Sequence, residues 1–137
     1  MKITVQRINQ NYLMEGKNEK GNIVRMDNSL KGGGNDEGAT PMELLIMALG
    51  GCSSIDVISI LKKQRQDLQD ISVMLDAERE TGKDANLFTK IHIHFTLKGN
   101  LEQQKIERAI ELSLTKYCSV AKTLEKTAVI TSSYEIQ

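Results

Sequence analysis

Two cysteines, Cys52 and Cys118, are the residues of this 137-residue chain best suited to covalent chemistry. They lie 66 positions apart, which is neither a CxxC redox pair nor a zinc-ligand spacing, so any joint work depends on the fold. Cys52 follows Gly50-Gly51, where missing side chains let a substrate or another backbone approach the sulfur. The alternative, a small buried hydrophobe on an apolar helix, stays open at this stage. Asp56, one turn further on, shares the helical face of Cys52 and opposes thiolate formation there, so a reactive Cys52 requires a nearby Arg or Lys. Cys118 sits in Lys116-Tyr117-Cys118-Ser119, at a break between two helical segments. An amide-rich helix start there favours a thiolate, whereas a buried helix end needs none. Two such thiols could be the attacking and resolving groups of a peroxidase. One thiolate displaces an alkoxide from a peroxide, becomes a sulfenic acid, and condenses with the second thiol.

The remaining candidates each have a structural explanation. Glu43 could act as an acid or base, but Thr40-Pro41-Met42-Glu43 fits a capping box with Pro41 at the first helical position. His92 and His94 share one face of a strand without a pattern that completes a metal site, and read as its outer face. Lys31 to Gly38, KGGGNDEG, has the glycines of a phosphate loop but no GK[ST], and Asp36 with Glu37 would repel phosphate. Lys62-Lys63-Gln64-Arg65 reads as a solvated helix end rather than a nucleic-acid site.

These residues need elements to hold them. Short strands are expected around Ile3 and Val5, around Tyr12 and Met14, and over Ile23 to Met26, with a turn at Gly16 to Gly21 before the third. The glycine-rich stretch follows as a flexible loop with no room for a buried side chain. A helix from about Pro41 to Gln66 is apolar on nearly every side, which reads as a helix enclosed by other structure. Its Gly50 and Gly51 imply close backbone approach or a bend. Alternation returns at Ile71, Val73, Leu75 and Ala77, and again at Ile91, Ile93, Phe95 and Leu97. Asn100 is the expected N-cap of a helix from Leu101 to about Tyr117, followed by a short helical segment, Ser119 to Leu124, and a last strand, Ala128 to Ile136. Strands in runs argue for an α+β fold with antiparallel pairing.

Bulk composition removes several function classes. Eighteen basic against eighteen acidic residues leave no net charge to draw the chain onto nucleic acid or an anionic membrane. The charge-free run Leu44 to Ile55 has twelve residues, short of the roughly 20 that span a bilayer, and no signal peptide is visible, so the expected location is cytoplasmic. The length suits one domain: N-terminal strands over 1–30, the glycine-rich loop at 31–39, the cysteine-bearing helix at 40–66, and strands with C-terminal helices over 70–137. A helix apolar on every face needs more cover than one such chain gives, which points to two chains per folded unit.

At residues 40–57, TPMELLIMALGGCSSIDV, and at 116–124, KYCSVAKTL, the sequence resembles the OsmC/Ohr family of cysteine-dependent organic hydroperoxide reductases. PMELL before GGC, together with KYCSV, is similar to the YhfA-like branch of that family. The resemblance implies antiparallel sheets wrapped around central helices in an intertwined homodimer, with active sites at the interface. It implies that Cys52 is the peroxidatic thiol and Cys118 the resolving one. A dihydrolipoyl or other dithiol protein would reduce the disulfide, a small apolar hydroperoxide would be the substrate, and neither cofactor nor metal is required. Family peroxidases hold the thiolate with an Arg from the N-terminal strands and a Glu directly after the helix-opening Pro. Here Arg25 is the candidate Arg, the residue after Pro41 is Met42, and the carboxylate falls one place later at Glu43. That departure motivates a second expectation, a ligand-binding or redox-sensing protein with little peroxidase activity.

Overall fold

A computed structural model describes residues 1–137, whose contacts fall into two compact units, Met1–Leu45 and Ile46–Gln137. The first unit carries an antiparallel three-stranded sheet, β1 (Ile3–Arg7), β2 (Met14–Asn18) and β3 (Ile23–Met26), in that order. Strand β2 starts at Met14, past Tyr12, and includes Gly16, so the turn is shorter than the glycines imply. Asn18 sets it: its Oδ1 accepts from the amides of Lys20 and Asn22, and Gly21 takes the left-handed conformation.

The glycine-rich stretch is not the loose loop expected from its composition. Asp27, almost wholly buried, accepts hydrogen bonds from the amides of Asn28, Asn35 and Glu37, and so gathers the segment around one carboxylate. Gly34 is required for this, since a Cβ there would lie 1.9 Å from the carbonyl oxygen of Asn28. The anchor lies outside the glycine run, which is why the run alone reads as flexible.

Helix α1 (Pro41–Lys63) begins in the first unit and continues into the second. Its start is the expected capping box: Thr40 Oγ1 accepts from the Glu43 amide, while Glu43 Oε2 accepts from the Thr40 amide at 2.7 Å. It ends at Lys63 rather than Gln66 because Arg65 adopts φ 55°, and the amides of Gln66 and Arg65 turn back onto the carbonyls of Leu61 and Lys62. This is a Schellman closure, built here without the usual glycine. The helix is 23 residues long and apolar enough to cross a bilayer by length and composition, because it runs through Glu43 and Asp56 rather than stopping at them. It is nevertheless a core helix, with Leu49, Val57 and Leu61 fully buried.

The second unit holds the sheet β4 (Asp67–Arg79), β5 (Phe88–Asn100) and β6 (Val129–Ile136), again in sequence order. The period-two pattern is realised along β5, whose Ile91, Ile93, Phe95 and Leu97 are buried while His92 and Lys98 face outward. Strands β4 and β5 pair antiparallel, but β5 and β6 pair parallel. The expectation of antiparallel pairing fails at this one pair because the chain returns through a helical crossover, which parallel neighbours require. That crossover comprises α2 (Gln103–Leu112), a single π-helical turn at Ser113–Tyr117, and α3 (Ser119–Leu124). Asn100 does not cap α2. It belongs to the β4–β5 ladder opposite Asp67, and Gln66 Oε1 instead accepts from the Glu102 amide.

Candidate functional site

Cys52 projects from the middle of α1, half-buried, and Cys118 stands fully buried at the junction of the π turn and α3. The fold brings them together. Cys52 Sγ, Cys118 Sγ and an Asp56 carboxylate oxygen all lie within 4.8 Å of one another, so two thiols 66 positions apart in sequence share one small volume. The helix spacing accounts for Asp56, one turn beyond Cys52 on the same face.

Local sequence fixes each participant. Gly50 lets α1 approach β4: a Cβ there would stand 2.8 Å from Leu75 Cδ1 and 3.2 Å from Val73 Cγ2. Gly51 has open space around its Cα, with nothing within 4 Å of an added Cβ, and leaves the approach beside Cys52 clear. On the other side, the Cys118 amide donates to the Ser113 carbonyl at 2.8 Å, the five-residue bond that defines the π turn. The turn reorients the chain so that Ser113 points back to α1. Its hydroxyl donates to Asp56 Oδ2 at 3.1 Å and approaches the Ser53 carbonyl at 3.4 Å.

The electrostatics of the two thiols are set by their surroundings. Burial, then the neighbouring Cys52 thiol, push the Cys118 thiol from its ordinary value of 9.0 up to about 12, against the opposing effect of the Ala121 amide that donates to its sulfur at 3.3 Å. The helix start at Ser119 therefore does not produce a standing thiolate on Cys118. Among the groups named from the sequence, Arg25 and Glu43 belong to the first unit and have local partners there. Arg25 Nε lies 3.6 Å from Glu15 Oε2. Hydrogen bonds from the Thr40 amide, and then its hydroxyl, hold the Glu43 carboxyl below its ordinary range.

Ser113 was missed by sequence reasoning, although a signal existed. It continues the buried stripe of Ile106, Ala109 and Ile110 by one further turn, and a polar residue in that position demands a buried partner. His92 and His94 do lie on the outer face of the sheet. His92 contacts Thr131 Oγ1 and Ser133 Oγ through its two ring nitrogens, and His94 Nδ1 shares the same Ser133 hydroxyl.

Comparison with known proteins adds an independent line. The family profile described as "OsmC-like protein" matches residues 33–133. Protein YhfA of Escherichia coli (strain K12) is 46% identical over 122 residues, covering 88% of this chain and 87% of that protein. Among solved structures, a hypothetical protein from Aquifex aeolicus VF5 superposes with a TM-score of 0.85 at 29% identity, covering 99% of this chain and 95% of that one. An organic hydroperoxide resistance protein OsmC from Legionella pneumophila has a TM-score of 0.74 at 13% identity, over 98% of this chain and 97% of that one. At that identity the last match speaks for the fold alone.

Proposed function

Since the chain belongs to the OsmC-like family, we propose that it is a cytoplasmic, homodimeric thiol peroxidase that reduces organic hydroperoxides through Cys52 and Cys118, each chain forming a single domain. The observation that carries this reading is the approach of the two sulfurs, together with Asp56, to within 4.8 Å.

In this reading Cys52, on the more accessible side and beside the open Gly51, attacks the outer peroxide oxygen as thiolate. The O–O bond breaks, the alcohol leaves after taking a proton, and Cys52 becomes a sulfenic acid. Cys118 then attacks the Cys52 sulfur, its proton leaves with the hydroxyl as water, and a disulfide forms. Cys118 is held as a thiol, so the proton must be taken up as attack proceeds, and the Asp56 carboxylate is an acceptor in the same cluster. A dithiol protein, dihydrolipoyl or similar, exchanges with the disulfide and restores both thiols. By the family resemblance, Arg25 is proposed as the positive charge that favours the Cys52 thiolate, and Glu43 as the family's carboxylate.

Exposed apolar surface supports the homodimer. Met47, Ile55 and Ile58 of α1 stay open to solvent, as do Ile3, Val5 and Ile23 on the first sheet, apolar surface that a second copy would cover. The helix expected to be enclosed on every side is enclosed on one side only by its own chain. A second copy supplies the rest in this reading.

The test is direct. Purified protein given an organic hydroperoxide should lose two free thiols per peroxide consumed. Cys52→Ser should abolish consumption, and Cys118→Ser should accumulate a sulfenic acid that dimedone traps. Wild-type protein with no peroxide-dependent thiol loss overturns the reading. The second reading, a ligand-binding or redox-sensing protein, has its own support in a cavity of about 410 Å³ in the first unit, lined by Arg7, Tyr12, Met14, Met26 and Asp27 among others. Its volume suits a small organic molecule. Unchanged thiols together with a co-purifying small molecule in mass spectra would favour it.

A further inference from the structure

We propose that the reduced chain binds one thiophilic d10 dication, Zn²⁺ in physiological terms, through Cys52 Sγ, Cys118 Sγ and a carboxylate oxygen of Asp56. The proposal does not depend on peroxidase activity, because it needs only the three donors and their arrangement. They already lie within 4.8 Å of one another. A tetrahedral zinc ion sits about 2.3 Å from sulfur and about 2.0 Å from a carboxylate oxygen, which places its donors roughly 3.5–4 Å apart, so small side-chain rotations close the set.

The surroundings fit a metal in three ways. Ser113 Oγ donates to Asp56 Oδ2, the outer-shell arrangement that orients ligating carboxylates. Asp56 makes none of the chain's ion pairs, so no cation of the chain competes for its carboxylate. The Cys118 thiol, wholly buried beside a second thiol, is the type of group that a coordinating dication deprotonates outright. Binding then converts two thiols and one Zn²⁺ into a neutral dithiolate unit and releases two protons, with the Asp56 carboxylate as third donor and a fourth position open. Two sulfurs select against Mg²⁺ and Ca²⁺, which take oxygen donors. Disulfide formation between Cys52 and Cys118 would remove two of the three donors and release the ion. Metal binding and thiol oxidation therefore exclude each other at this site.

The pair His92 and His94 is the rival metal site, and it is the weaker one. Both ring nitrogens of His92, and Nδ1 of His94, are engaged by the hydroxyls of Thr131 and Ser133, and the carboxylate beside His94 Nε2, that of Glu135, stands 3.9 Å away.

The experiment titrates Co²⁺, an optical stand-in for Zn²⁺, into the reduced, chelator-treated full chain under argon, then adds Zn²⁺. One Co²⁺ per chain, with a thiolate-to-cobalt charge-transfer band that Zn²⁺ bleaches, is expected. Cys52→Ser and Cys118→Ser should each weaken the band, and Asp56→Asn should lower affinity by roughly tenfold or more while both thiolates remain bound. The double variant His92→Ala, His94→Ala should titrate like wild type. Oxidation to the disulfide with diamide should abolish binding. Absence of the band at one equivalent, or its loss in the histidine variant with retention in Cys52→Ser, overturns the proposal. Should Asp56→Asn fail to fold by circular dichroism, Zn²⁺ protection of both cysteines from alkylation in the wild-type chain decides: equal alkylation with and without Zn²⁺ overturns it.

Discussion

In the second unit, Ile93, Phe95 and Leu97 on the inner face of β5 have lost all contact with solvent, whereas in the first unit Ile3, Val5, Ile23 and Val24 keep 49–57% of their surface exposed. The difference shows that these two three-stranded sheets are held by different means. The second closes over an apolar core with α1 and α2. Outside its strand ladder, the first unit is organised by polar contacts, above all the Asp27 carboxylate with its three backbone donors in the segment after β3. A three-stranded sheet with apolar side chains open to water gains little from its own burial, and its apolar residues have a use only when something covers them. In the proposed homodimer that cover is a second copy.

Truncating one residue in each sheet gives the largest contrast. Phe95→Ala should cost about 3–5 kcal/mol in urea denaturation, the range for removing a fully buried aromatic ring. Val5→Ala should cost under about 0.5 kcal/mol in dilute protein, as surface changes do. Its cost should grow with protein concentration if a second copy covers the first sheet. A Val5→Ala cost near that of Phe95→Ala at every dilution would mean that the first unit buries its own core.

The adjacent glycines of α1 sharpen the contrast on a smaller scale. Gly50→Ala must displace Leu75 and Val73, and should destabilise by about 1–2 kcal/mol even after the gain in helix propensity. Gly51→Ala meets nothing within the chain and should stabilise by up to about 1 kcal/mol in dilute protein. A Gly51→Ala variant that folds well yet loses hydroperoxide consumption would show that the space beside Cys52 is used by substrate or by a second copy.

Much of this arrangement is legible in the sequence. Alternation in β4 and β5 and the Thr40–Glu43 capping box depend on neighbours in sequence, and residue type alone carries them. Gly50 announced a close approach, although only the fold shows that the approach is to Leu75 and Val73. What sequence could not show rests on partners distant along the chain. The glycine-rich stretch looked unconstrained because its anchor, Asp27, precedes it. The end of α1 falls at Lys63, short of Gln66, because Arg65 takes a left-handed conformation usually left to glycine. The parallel β5–β6 pair escaped notice because pairing direction depends on the crossover rather than on either strand. The two cysteines can be named from their segments, but their meeting depends on a π turn that no local pattern announces, and only the fold shows that the buried Ser113 reaches Asp56.

Acid and alkali should separate the two units by the most localised effect. Hydrogen bonds from the Glu37 amide foremost, outweighing the opposing effect of burial, lower the Asp27 carboxyl below its ordinary 3.8. A depressed carboxyl stabilises the fold above its unfolded value, and that contribution is lost as pH falls from about 3.8 through the lower folded value. Cys118 has the opposite sign: its thiol is raised from 9.0 to about 12, so its contribution is complete below 9.0 and is lost as pH rises toward 12. Hydrogen exchange read by mass spectrometry should therefore show peptides covering residues 27–37 losing protection first on the acid side. Peptides covering 113–124 should lose protection first on the alkaline side. Asp27→Asn should flatten the acid response alone and Cys118→Ala the alkaline response alone. Simultaneous loss in both units at either extreme would mean that they unfold as one cooperative body, and the contrast between a polar-anchored sheet and an apolar-cored one would then describe their contacts but not their stability.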